Sequence, residues 1–117
     1  MRLPVEIMLR GNNRVFTETI DHPTEPVAWT EADVATILKA MLRATARAQA
    51  PDAQEPADVM LRGMNWIVHS AADGGVVIAI EIHSGSAVAG PVPMAAETLD
   101  GLVSRAVAAD SRPGVVH

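Results

Sequence analysis

Glu81 and His83 stand two residues apart in the run VVIAIEIH. Alternation along a strand puts both on one face. A carboxylate beside an imidazole can pass a proton or supply two ligands to a metal. Upstream, the stretch LRGMNWIVHS brings Arg62, Met64 and Trp66, where a tryptophan could anchor a partner or line a small-molecule site. If the turn ADGG sets Ala72 against Gly75, Trp66 faces Glu81 and Met64 faces His83 across a hairpin. One face then carries Ile67, His69, Val76, Ile78, Ile80 and Ile82 as core. The other carries Met64, Trp66, Val68, Val77, Ala79, Glu81 and His83. A register slip of one residue reshuffles these neighbours but keeps Glu81 with His83.

Two ligands do not make a metal site, since zinc sites use at least three protein ligands. Neither a metal nor a cofactor is therefore expected, and an enzyme is the less favoured reading. The favoured use of Trp66, Glu81, His83, Arg62 and Met64 is contact with a second copy of the chain or another protein, because an open sheet face bearing apolar surface is usually covered by something. The alternative is a small-ligand-binding protein or enzyme with its site near Trp66, Glu81 and His83.

Other chemistry is weaker. The tetrapeptide MLRG occurs at Met8–Gly11 and again at Met60–Gly63, with similar flanks. Arg10 and Arg62 could then be paired anion ligands. The preferred reading is structural, a core-facing Met/Leu pair leading into a glycine bend, with an ancient duplication as a further possibility. Asp21-His22 resembles an acid–base dyad, but a turn ahead of Pro23 explains it better. No serine sits in a nucleophile-elbow context, and the glycine-rich turns lack a phosphate-loop pattern. Lys39, Arg43 and Arg47 form a ridge that could dock an acidic partner, although a solvated helix face is preferred. No stretch carries enough of a known family's residues to name one.

The elements that must position these residues follow from periodicity. VEIML and RVFTETI read as strands around RGNNR, either as a hairpin or as one bulged strand. In WTEADVATILKAMLRATARAQ, Thr30 is an N-cap, and Asp33 three residues on comes close to a capping box. Trp29 and Val34 form a hydrophobic staple. Val34, Ile37, Leu38, Met41 and Leu42 recur at helical spacing, and the helix should end near Ala50, ahead of Pro51. VMLRGMNWIVHSA reads as a strand bent at Gly63, with a short helix over 56–62 as the alternative. VVIAIEIH is a strand. AVAGPV is a short strand that Pro91 should end or hold at a sheet edge. MAAETLDGLVSRAVAA is a second helix with Leu99, Leu102, Val103, Ala106 and Val107 on one face.

The 117 residues suit a single domain, expected over 1–110 with a flexible tail over 111–117. The expected fold class is α+β: a two-layer sandwich with four to five mostly antiparallel strands and two helices on one face, in the order β-β-α-β-β-β-α. An apolar fraction of 49% and only three aromatic side chains (Phe16, Trp29, Trp66) require an aliphatic core. The net charge of −5, with no basic stripe and few aromatics, argues against nucleic acid and against anionic membrane surfaces. The absence of cysteine excludes disulfides and thiolate chemistry. No apolar run has the length of a signal peptide or a membrane span, so a cytoplasmic protein is expected, favouring a homodimer. Arginine outnumbers the single lysine, Lys39, and alanine is abundant, a bacterial-like composition that reads as coding bias.

Overall fold

The computed structural model describes residues 1–11, 14–53, 59–61, 64–71 and 74–111. Five strands and two long helices follow in the order β1 (Arg2–Leu9), β2 (Val15–Asp21), α1 (Glu31–Gln49), β3 (Asn65–Ser70), β4 (Val76–Ile82), β5 (Gly85–Val92) and α2 (Ala96–Ser111). A short 3₁₀ turn at Pro26–Ala28 precedes α1. This is the expected α+β fold. The strands form one open sheet in the order β2-β1-β5-β4-β3, and every neighbouring pair is antiparallel. Among the described residues no helix is long and apolar enough to cross a membrane.

α1 forms where its local chemistry demands. The Thr30 hydroxyl accepts the Asp33 backbone N–H, and the Asp33 carboxylate accepts the Thr30 N–H at 2.8 Å. Two N–H groups that a helix start leaves unpaired are thereby satisfied. Val34, Ile37, Leu38, Met41 and Ala44 give α1 a continuous buried stripe. α2 buries Leu99, Leu102, Val103 and Ala106. Both helices lie on one side of the sheet and meet the inward residues of its strands, Leu3, Val5, Ile7, Ile78, Ile80, Ala87, Ala89 and Val92.

The ridge on α1 is less solvated than expected. Lys39 Nζ lies 3.2 Å from the Asp110 carboxylate of α2, and Arg47 pairs with Glu18 of β2. The second Asp110 oxygen accepts the Leu61 backbone N–H at 2.6 Å. Asp110 therefore ties α1, α2 and the segment before β3 together.

Two sequence expectations are corrected. The first concerns β5, which is neither short nor at an edge. It runs through Gly90-Pro91 and occupies the middle of the sheet. β1 pairs with it only as far as Ala89. On the β4 side, Val76 faces Val92 and Ile78 faces Ala89, so two β5 residues, Gly90 and Pro91, oppose the single Val77. Proline has no N–H to lose where a bulge has already broken the ladder. Gly90 takes φ +135, and a Cβ there would fall 2.8 Å from the Val76 carbonyl oxygen.

The second concerns the strand expected through VMLRG. β3 begins only at Asn65, and Val59–Leu61 are in neither strand nor helix. The two MLRG copies are therefore not equivalent. Met8 and Leu9 close β1, whereas Met60 and Leu61 lie in an irregular segment; Met8 and Met60 are both half-exposed, and only Leu61 is fully buried. The shared device of a core-facing Met/Leu pair fails at both methionines, Met8 and Met60, and with a strand in one copy and irregular chain in the other the duplication loses its structural support. Gly63, most of the alternative helix over 56–62, and residues 112–117 of the expected tail lie outside the described residues.

Candidate functional site

The side of the sheet away from the helices is open. Its make-up depends on the β3–β4 register, which differs by one residue from the expected one. Ser70 faces Val76 and the Ala71 N–H donates to the Gly75 carbonyl at 3.0 Å, with Gly74 and Gly75 both at positive φ. The pair sum is set by where these glycines turn the chain. Trp66 consequently faces Ile80, and Val68 faces Ile78, on the helix side. Asn65 faces Glu81, Ile67 faces Ala79 and His69 faces Val77, on the open side. Ile67 and His69 thus leave the core face where the sequence put them, and Trp66, Val68 and Met64 leave the open one. β4 keeps its expected faces, since a slip of one moves only the partner strand's side chains across.

Cross-strand register gives the open face row by row. One row reads Asn65, Glu81, Ser86, Met8, Val15, from β3 to β2. The next reads Ile67, Ala79, Val88, Glu6, Thr17. Six large hydrophobic side chains are exposed among the described residues, and four of them are here: Met8, Val15, Ile67 and Val88. Arg2 and Asp21 pair at 3.4 Å on one rim of this face.

At the other rim Arg10 follows β1. Its Nε donates to the His83 carbonyl at 3.0 Å and its backbone N–H to Ser84 at 2.9 Å, which fixes the turn between β4 and β5 against β1. Around Glu81 the surface sinks into a shallow hollow of about 360 Å³, walled by Asn65, Ile67, Ala79, Glu81, Ser86 and Val88, with Trp66 and Ile80 also contributing. Arg10, Glu81 and His83 share a smaller adjoining hollow. Of the residues singled out from sequence, Glu81 and His83 are exposed and stay together. Trp66 and Met64 are half-buried and packed against the core. Arg62 lies outside the described residues. Asn65, Ser86 and Arg10 join Glu81, and no local pattern pairs them with it.

The sequence reading also missed a buried histidine pair. Asp21 bonds Arg2, and His22 bonds a different aspartate. His22 Nε2 donates to the Asp33 Oδ1 at 2.8 Å, and its ring stands edge-on to Trp29 at 6.1 Å between centroids. The Trp29 indole N–H donates to the Thr24 carbonyl at 2.9 Å. The Thr30 backbone N–H, followed by the His22 side chain, holds the Asp33 carboxyl down at about 2, below its ordinary 3.8. The assembly clamps the loop after β2 onto the α1 N-terminus. With His22 only 7% exposed, it is an element of stability. Only the capping box was legible locally, since His22 reaches Asp33 from eleven residues away through tertiary packing.

Among the described residues no group of three or more His, Asp or Glu side chains could hold a metal ion. Comparison of the chain with protein-family profiles, curated proteins and solved structures finds no match.

Proposed function

We propose that this chain is a small association module that acts without catalysis, through its open sheet face, with self-association as its first role. The observation that supports the reading is the gathering of Met8, Val15, Ile67 and Val88 on one uncovered surface. Contiguous exposed apolar patches on soluble chains mark contact sites. Around them Asn65, Ser86, Thr17 and Thr19 supply the polar groups that interfaces carry among their apolar contacts. Trp66 is not the anchor in this reading, because its register places it on the helix side. Light scattering on Ile67→Asp and Val88→Asp tests it. Each should hold the mass of one chain at concentrations where the parent is larger, with unchanged circular dichroism. Masses that ignore both substitutions would overturn it.

A second reading is a small ligand bound in the hollow beside Glu81, favoured by the apolar floor of Ile67, Ala79 and Val88 around one carboxylate. Any molecule bound by the native state alone raises the melting temperature. A thermal-shift screen of small amines and apolar cations should reveal a shift that Glu81→Gln abolishes. A flat response across the panel would remove this reading.

A further inference from the structure

We propose that the open face meets a second copy of the chain about a two-fold axis running along β5, with Arg10 of each copy against Glu81 of the other. The inference rests on the association reading above and adds its partner and arrangement. β5 is the middle strand, β1 and β4 flank it, and β2 and β3 are outermost. An axis lying in the interface along β5 carries β4 of one copy over β1 of the other, and β3 over β2, so the surface is self-complementary. Val88 then meets its own counterpart at the axis. Glu81 comes over the partner's Met8, since the two flank Ser86 in one row. Arg10 is two residues beyond Met8 along the chain, about 7 Å, a gap that an arginine side chain spans.

Charge selects this pairing. Among the described residues Glu81 is exposed and in no ion pair on its own copy, and Arg10 bonds a carbonyl but no carboxylate. Burying a carboxylate without a counter-charge is strongly unfavourable. Among the described residues the other side-chain cations are committed or elsewhere. Arg2 pairs with Asp21, Lys39 with Asp110 and Arg47 with Glu18, Arg14 stacks over Phe16, and Arg43 and Arg105 are on the helices. Five strands about 4.8 Å apart and about 20 Å long present roughly 500 Å² per copy. The pair therefore buries roughly 1,000 Å², the lower bound for a specific interface, so the dimer is one of modest affinity. Glu6 lies over the partner's Ala79 in this arrangement and gains no counter-charge, so Glu6→Gln should tighten it.

The test mixes two charge reversals. Arg10→Glu alone and Glu81→Arg alone each put like charges together and should weaken dimerisation at least tenfold by sedimentation velocity. Mixed in equal amounts, they should recover parental association as a dimer of one of each, identified by native mass spectrometry, because both cross-pairs are then opposite in sign. Recovery only when both substitutions are in one chain, with none in the mixture, would place the pair within a copy and overturn the arrangement. Single variants that dimerise like the parent would also overturn it. In either case a parent that dimerises and is broken by Ile67→Asp leaves the association reading standing, whereas a monomeric parent overturns both. Should either reversal disturb the fold, Arg10→Ala and Glu81→Gln replace it, and each must still weaken the dimer.

Discussion

On the helix side of the sheet, Val5, Ile7, Ile78 and Ile80 are at most 2% exposed, while on the other side Ile67 is 57% and Met8 50% exposed. The strands are the same and the side chains are of the same kind, so strand formation alone does not explain the difference. Two amphipathic helices close the first face, and nothing among the described residues closes the second. The first face holds the chain together. The second leaves apolar area in water, where further burial yields about 25 cal/mol per Å². The contrast separates what is needed to fold from what is left for contact, and substitutions on the two faces should differ accordingly.

The largest effect is expected on the covered face. Ile78→Ala removes a fully buried side chain beneath the helices and should cost about 2–5 kcal/mol, read as a lower urea midpoint with unchanged slope. Next comes the open face. Ile67→Asp should shift folding stability by less than about 0.5 kcal/mol, since exposed sites tolerate substitution, and should still abolish self-association. A large loss of stability from this change would erase the distinction between the faces.

Smaller effects sharpen the account of the covered side. Thr30→Ala removes the α1 cap and should cost about 1 kcal/mol by the same denaturation. The Asp33 carboxyl titrates lower in the folded chain than in the unfolded one, so its contribution is present above the unfolded value. It should fade as pH falls from 3.8 towards about 2. Asp33→Asn should flatten the acid limb of stability against pH in that window and leave association at neutral pH unchanged. The smallest change is Val88→Ala, expected to leave the urea midpoint in place and weaken association by a few-fold in sedimentation.

The legible parts of this fold were those encoded within one element. Thr30, Asp33, Trp29 and Val34 are near neighbours in sequence, so the α1 start could be read directly. The alternation of Val76, Ile78 and Ile80 likewise gave the two faces of β4. What could not be read depended on one residue of register or on distant pairing. The Gly74-Gly75 turn sets Trp66 against Ile80 instead of Glu81, which moves a whole strand's side chains to the other side. Pro91 suggested an edge because a local reading cannot see the bulge opposite Val77, or that β1 arrives from some eighty residues away to make β5 central. The candidate site was legible in Glu81 and His83, which share one strand and its turn. Asn65, Ser86 and Arg10 join them only through the sheet.

The most direct test of the central claim is the mass of the parent chain by sedimentation equilibrium from micromolar to millimolar concentration at neutral pH. The account predicts a rise from 12.3 kDa to twice that value, reversible on dilution. A mass that stays at 12.3 kDa up to millimolar concentration would contradict it.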